Sequence, residues 1–180
     1  MEEIIDFKAV DVHGRNCVML ACFEGDLEKL KYLIAKGGSV DVVDANQNSC
    51  LYLACDQKHD DVVKYLLDKG ANVNSTNRWK FSCLHAAGLS VNLLEMLLNA
   101  GGDIDAKDCY LDTPYATMCW YGDIAGLKLI LDRGADWRSE DTDGKTGLDY
   151  ARKYNKKEGV VEWLEEYIQK LEISEENCKT

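Results

Sequence analysis

Apolar residues recur along the chain in paired short runs that predict pairs of helices. The first run of each pair follows a Ser, Thr or Asn and reads NCVMLA, SCLYLA, SCLHAA, TPYATM or TGLDYA. The second run reads LEKLKYLI, VVKYLL, LLEMLL, LKLIL or VVEWLEEYI, which is the spacing of a helix buried along one broad face. Each pair therefore predicts a helix, a short turn and a second helix.

The pairs recur at a nearly constant period. The predicted N-caps of the first helices are separated by 33, 33, 31 and 33 residues, and they are Asn16, Ser49, Ser82, Thr113 and Thr146. The glycines that end the second helices are separated by 33, 31 and 33 residues, and they are Gly37, Gly70, Gly101 and Gly134. Two independent landmarks with one period predict an all-α repeat solenoid, with Asp- and Asn-containing loops between the pairs.

The pattern resembles the ankyrin repeat, most closely in DKGANVN at 68–74, SCLHAA at 82–87 and DTDGKTGLDYA at 141–151. The resemblance covers roughly residues 10 to 172. It implies an ankyrin-type stack of helix-turn-helix units with projecting hairpin loops, in a single domain over 1–180. We expect an irregular acidic tail at 173–180 and repeats near 10–42, 43–75, 76–106, 107–139 and 140–172.

The third repeat departs from the others, because the stretch AAGLSVNLL makes it two residues shorter. Either the turn between its helices is tighter or one helix loses half a turn. Gly126 in the next repeat adds a second weakness, since glycine inside a helix costs roughly 1 kcal/mol relative to alanine. We expect residues 88–131 to open locally more readily than residues 44–75.

Charge and hydropathy narrow the class of partner. The chain carries 32 acidic and 21 Lys or Arg residues, a net charge of -11, which repels phosphate backbones and favours a protein with a neutral to basic surface. We therefore expect no nucleic-acid binding. No apolar run approaches 18 residues, and MEEIIDFKAV lacks the basic start of a signal peptide. We expect no membrane association and a cytoplasmic or nuclear monomer.

The eight cysteines fit the repeat register. Cys17, Cys50 and Cys83 share one position, and Cys22, Cys55 and Cys119 share another, so six are interpreted as small buried residues. Equivalent positions in stacked repeats lie roughly 10 Å apart, too far for a disulfide. We expect free thiols and a reducing compartment. The candidates for exposed thiols are Cys109 and Cys178.

The sequence contains no pattern that indicates catalysis or a bound cofactor. His13, His59 and His85 lie in three different repeats, without a Ser or Cys at the spacing of a nucleophilic pair. There is no CxxC or paired-His spacing for zinc, and no glycine-rich phosphate-binding motif. We predict a protein that is not an enzyme, with no cofactor, no metal and no catalytic residue. His85 is expected to bond loop backbone.

The resemblance implies that a partner protein binds a concave face made by the loop tips and the ends of the first helices. Aromatic residues and arginine dominate interface energetics, so we select the partner-binding candidates Arg78, Trp79, Phe81, Tyr110, Trp120, Tyr121 and Tyr154. Trp137 is interpreted as packing. Two alternatives stay open: a regulatory subunit or inhibitor of a partner enzyme, and an aromatic stacking site for a nucleotide-like ligand.

Overall fold

The computed structural model describes residues 5–88, 90–154, 157 and 159–177, with the side chain of residue 175 left aside. Within these residues the chain forms ten helices and no strand, which confirms the all-α repeat fold. Two isolated antiparallel bridges, Val43 with Ser49 and Thr76 with Ser82, close hairpin-like loops. The chain divides into two compact units, unit 1 (Met1–Asp103) and unit 2 (Ile104–Thr180).

Unit 1 contains three helix pairs, which are α1 (Cys17–Glu24), α2 (Leu27–Ala35), α3 (Cys50–Asp56), α4 (Asp60–Asp68), α5 (Cys83–Ala87) and α6 (Val91–Asn99). Helix α3 packs between α1 and α5, and α4 packs between α2 and α6. First helices thus form one layer and second helices another. The core of unit 1 lies between the two layers and is filled by buried aliphatic side chains such as Leu30, Leu51 and Leu66.

Unit 2 contains two helix pairs, which are α7 (Pro114–Tyr121), α8 (Ile124–Asp132), α9 (Gly147–Tyr154) and α10 (Val160–Asn177). Helix α7 packs on α8 and α9, and α10 packs on α8 and α9. The same two layers are therefore present in unit 2. The expectation of an irregular tail after residue 172 is wrong, because α10 continues through residues 173–177; residues 178–180 lie outside the described part.

The predicted caps and turns are confirmed. Asn16 Oδ1 accepts a hydrogen bond from Met19 N–H at 3.1 Å, and Ser49 Oγ accepts one from Tyr52 N–H at 3.1 Å. Such bonds satisfy amide groups that the first turn of a helix leaves without a partner. The glycines that follow the second helices have φ between 83° and 98°, a range that favours glycine, at Gly37, Gly70, Gly101 and Gly134.

The two residues that the third repeat lacks are missing from its first helix, α5. Helix α5 has 5 residues, whereas α1 and α7 each have 8. The ammonium group of Lys58 lies at its C-terminal end and donates hydrogen bonds to the carbonyl oxygens of Ala86 and Ala87, the latter at 2.9 Å. A cation is favoured at this end of a helix because the last carbonyl groups lack helical partners. Lys58 thus compensates for part of the missing turn.

The cysteine register is visible in the first helices. Cys22, Cys50, Cys55 and Cys83 are completely buried there, as expected of small core residues. Helix α3 packs on both α1 and α5, and the interactions with Cys50 and with Cys83, together with burial, raise the pKa of the Cys22 and Cys55 thiols respectively. The seven described cysteines form no disulfide, and Cys109 is exposed; Cys178 lies outside the described part.

Candidate functional site

Every interrepeat loop is held by one Asp or Asn side chain. Its Oδ1 accepts hydrogen bonds from the N–H groups two and four residues later, as in Asp44 with Asn46 and Asn48 at 2.8 and 2.9 Å. These anchor residues are Asp11, Asp44, Asn77, Asp108 and Asp141. Because one acceptor fixes two amides, all five loops have the same rigid form.

The anchor residues are not among the site residues predicted from the sequence, although their period of 33, 33, 31 and 33 matches that of the helix caps. The third residue after each anchor has a positive φ, between 63° and 77°, in all five loops: Gly14, Gln47, Lys80, Leu111 and Gly144. Glycine is lost from three of these loops without loss of the turn, because the anchor bonds hold the backbone in the left-handed region. The turns lacking the consensus glycine are therefore preserved.

Neighbouring loops are joined by backbone hydrogen bonds within each unit. In unit 1, Ala45 N–H donates to His13 O at 3.0 Å and Arg78 N–H donates to Asn46 O at 2.9 Å. In unit 2, Thr142 N–H donates to Tyr110 O at 2.9 Å. These bonds align the loop tips of consecutive repeats within a unit.

The loop of the third repeat presents the Trp79 surface, defined as Arg78 and Trp79, in unit 1. Asn77 Oδ1 accepts from Trp79 N–H and Phe81 N–H, both at 3.0 Å. The Arg78 guanidinium lies 5.3 Å from the centroid of the Trp79 ring, within cation–π distance. Trp79 is 43% exposed. The loop therefore holds an indole and a guanidinium side by side at the surface.

Phe81 lies in a different environment from Trp79. Its ring is half-buried and contacts the His85 imidazole edge-on, with centroids 5.5 Å apart. His85 Nδ1 in turn accepts a hydrogen bond from Ser82 N–H at 3.2 Å, as expected of a histidine that bonds its own loop backbone. Phe81 therefore packs on His85 behind the loop. It is not part of the exposed Trp79 surface.

Helices α7 and α9 and the preceding loop present the Trp120 surface in unit 2, defined as Tyr110, Trp120, Tyr121 and Tyr154. The Trp120 and Tyr154 rings are stacked, with centroids 4.2 Å apart and an angle of 24° between planes. Trp120 is 47% exposed, Tyr121 50%, Tyr110 62% and Tyr154 38%. The stack fixes the Trp120 ring on the surface instead of in the groove between helices.

A group of carboxylates lies near Tyr150, the aromatic residue next to Trp120. The hydroxyl group of Tyr150 donates to Asp141, and the Tyr150 ring lies 5.8 Å from that of Trp120. Burial and the charges of Asp108 and Asp141 raise the pKa of Asp112 to about 6. Half-buried Asp112 and Asp141 therefore lie next to Tyr150, behind the Trp120 ring, whereas the Trp79 surface carries the positive charge of Arg78.

The seven predicted residues thus divide between the units. Arg78, Trp79 and Phe81 belong to unit 1, where the first two form a surface and Phe81 packs behind it. The other four belong to unit 2, where all are exposed and the Trp120 and Tyr154 rings stack on each other. Trp137 is half-buried with the Arg138 guanidinium 3.9 Å from its ring centroid, which agrees with a packing role.

The described residues contain no group of three or more His, Cys, Asp and Glu side chains arranged to hold a metal ion. No helix among them is both long and apolar enough to cross a membrane.

Residues 1–77 match the family model for ankyrin repeats in three copies. No curated protein matches the chain. Ankyrin repeats are generally protein–protein interaction modules and are typically non-catalytic.

Proposed function

The chain carries ankyrin repeats, and we propose that it is a non-catalytic adaptor that binds a partner protein through the Trp79 and Trp120 surfaces. The observation that carries the proposal is the exposure of large aromatic side chains on backbone that is already rigid. Aromatic and arginine side chains contribute most to interface hot spots. A rigid loop also loses little conformational entropy on binding.

The charges favour a partner with a neutral to basic surface. The chain has a net charge of -11, with -5 in residues 1–103 (10 Lys and Arg against 15 acids) and -6 in residues 104–180 (11 against 17). An excess of acidic side chains in both units attracts basic proteins at long range and repels nucleic acid. A regulatory subunit or inhibitor of a partner enzyme is one form that such an adaptor can take.

The experiment compares capture of the partner by the full chain and by single variants. Trp79→Ala and Tyr121→Ala are expected to weaken binding by about 2 kcal/mol or more, the range of interface hot spots, with a small change in melting temperature. Tyr32→Ala is the matched control, because Tyr32 is an equally exposed aromatic residue on the second helix α2. Lys64→Ala and Glu95→Ala are polar controls on the second helices, expected to change affinity by less than about 0.5 kcal/mol.

Two outcomes contradict the proposal. If the second-helix variants abolish binding while Trp79→Ala and Tyr121→Ala bind normally, the partner binds the layer of second helices. If the aromatic variants unfold, their rings contribute to the core. A thermal shift produced by a polyphosphate-bearing ligand, and lost in Trp79→Ala, would instead support a nucleotide-like ligand stacked beside Arg78.

A further inference from the structure

Repeat one holds an arginine side chain against an aromatic ring of its first helix. The Arg15 guanidinium lies 4.4 Å from the centroid of the Phe23 ring, within cation–π distance. The same guanidinium pairs with the carboxylate of Asp11, with Nε and Nη2 each 2.9 Å from Oδ2. The Phe23 ring is half-buried. Repeat one therefore contains a complete arginine site, made of one ring and one carboxylate.

Repeat four has the ring of this site but not the arginine. Phe23 and Trp120 are each the seventh residue after the cap of their first helix, and Arg15 and Asp112 are each the residue before that cap. Repeat four thus has a larger ring and, in place of the guanidinium, a carboxylate. Trp120 is 47% exposed, whereas Phe23 is half-buried. The position of the missing arginine leaves the Trp120 ring open to solvent.

Two other tryptophan rings already have an arginine of the chain beside them. The Arg78 guanidinium lies 5.3 Å from the Trp79 centroid, and that of Arg138 lies 3.9 Å from the Trp137 centroid. Among the residues that the structure describes, no lysine or arginine side chain lies over the Trp120 ring. The face of an indole ring attracts a cation through its quadrupole. Trp120 therefore offers this interaction to a group from outside the chain.

The contacts of Trp120 hold its ring in place without neutralising it. Tyr154 stacks on the indole with centroids 4.2 Å apart. Two nearby ammonium groups are engaged elsewhere: that of Lys153 lies 4.7 Å from the Tyr154 centroid, and that of Lys157 donates to the Gly122 carbonyl at 3.3 Å. The indole is therefore rigid before binding, so that little side-chain entropy is lost when a ligand covers it.

The charge around Trp120 is negative. The Tyr150 ring lies 5.8 Å from that of Trp120, and its hydroxyl group donates to Asp141. Burial, the hydrogen bond to Asp141 and the charge of Asp112 together raise the pKa of Tyr150. Residues 104–180 carry a net charge of -6, from 11 basic and 17 acidic residues. A cation on the Trp120 ring is therefore favoured by both the quadrupole and the surrounding carboxylates.

We propose that the exposed Trp120 ring is a binding site for an arginine side chain of the partner protein, with the guanidinium over the indole and Asp112 supplying the opposite charge close by. This assignment rests on the proposed function, since the arginine belongs to the protein that the adaptor binds. Arginine fits better than lysine because the planar guanidinium is weakly hydrated and stacks on aromatic rings. Arg15 on Phe23 is the same arrangement within one chain.

The test titrates the full chain with the acetylated and amidated tripeptide Gly-Arg-Gly and follows the tryptophan indole N–H signals by NMR. The matched probes contain lysine, or citrulline, which has the shape of arginine without its charge. The titration is made at about pH 7.5, where Asp112 is ionised because its pKa is about 6. The arginine peptide is expected to shift the Trp120 signal with a Kd on the order of 10 mM, the strength of one cation–π contact and one nearby charge. The lysine peptide should bind more weakly, and the citrulline peptide should leave the signal unchanged.

Three variants locate the site. Asp112→Arg restores the pattern of repeat one, so an arginine of the chain covers Trp120 and the peptide should bind at least about tenfold more weakly. Asp112→Asn should weaken binding by about two- to fivefold, since one opposite charge is lost. Trp120→Leu assigns the Trp120 signal and should abolish binding. Glu166→Gln is the matched control, because it removes the same charge from an exposed position on α10 and should not change the Kd.

The outcomes separate this site from the adaptor role. Equal shifts of the Trp120 signal by the arginine and citrulline peptides, no shift by either, or unchanged binding in both Asp112 variants would overturn the arginine site. Partner capture that is lost in Tyr121→Ala, in a chain that does not bind the arginine peptide, would support the adaptor role and reject the arginine site. An arginine-specific shift of Trp120 in a chain that captures no protein would support the site and reject the adaptor role.

Discussion

Replacing Asn77 with alanine tests whether one buried side chain holds the loop that carries the Trp79 surface. Asn77 is 5% exposed, and its Oδ1 accepts from Trp79 N–H and Phe81 N–H at 3.0 Å each. Its Nδ2 group donates to Asn48 Oδ1 at 3.0 Å, which joins the loop to that of the previous repeat. Alanine removes all three hydrogen bonds and leaves two part-buried amides without an acceptor.

The magnitude follows from these three bonds. A hydrogen bond within a protein contributes about 1 kcal/mol net, and a buried donor that loses its acceptor costs somewhat more. We therefore expect Asn77→Ala to lower the free energy of unfolding by roughly 2–3 kcal/mol. Urea unfolding followed by circular dichroism would show a lower midpoint with an unchanged slope.

Two further variants make the test specific. Asn77→Asp keeps the oxygen that accepts both amides, as Asp44 and Asp108 do in their loops, but loses the Nδ2 donor to Asn48, so it is expected to lose about 1 kcal/mol, less than Asn77→Ala. Asn72→Ala is the matched control, because Asn72 is exposed and accepts one exposed bond from Asn74 N–H. If Asn77→Ala unfolds at the same urea concentration as the wild type, or if Asn77→Asp is as unstable as Asn77→Ala, the anchor role is refuted.

Two other predictions concern repeat three and unit 2. Lys58→Met keeps the aliphatic stem but removes the ammonium group from the Ala86 and Ala87 carbonyls, so we expect a loss of about 1–2 kcal/mol and faster hydrogen exchange in α5; unchanged exchange there would contradict the capping role. The pKa of Asp112 is raised from 3.8 to about 6 in the folded chain, so its stabilising contribution is present at low pH and is lost as pH rises through about 6. Asp112→Asn should therefore stabilise the chain by about 1 kcal/mol at pH 7, after allowance for solvent screening, and by less at pH 4; equal effects at both pH values in urea unfolding would refute this.

The sequence alone determined the repeats, the helix pairs, the caps at Asn16 and Ser49, and the glycine turns. These features are local. A capping side chain bonds to an amide in the first turn of the helix that it precedes, and a turn that needs a positive φ favours glycine at that one position. Because each cap and each glycine turn depends on residues close in sequence, their repetition is visible as a period in the sequence. The same period shows that repeat three is two residues short, which predicts a tighter turn between its helices or the loss of half a helical turn. The period of the loop anchors is also present in the sequence, as a third kind of landmark beside the caps and the glycines.

Only the tertiary structure decided which side chains meet across repeats. Trp79 and Phe81 are two residues apart in the same loop. Trp79 is exposed, whereas Phe81 packs on His85, because the loop backbone directs the two side chains to different sides. Cys22 and Cys50 occupy different register positions and appear unrelated by period, yet α1 packs on α3, and the interaction with Cys50, together with burial, raises the pKa of the Cys22 thiol. Contacts between repeats depend on the rotation and spacing of packed helices, and these are set by the whole interface and not by any one segment of sequence.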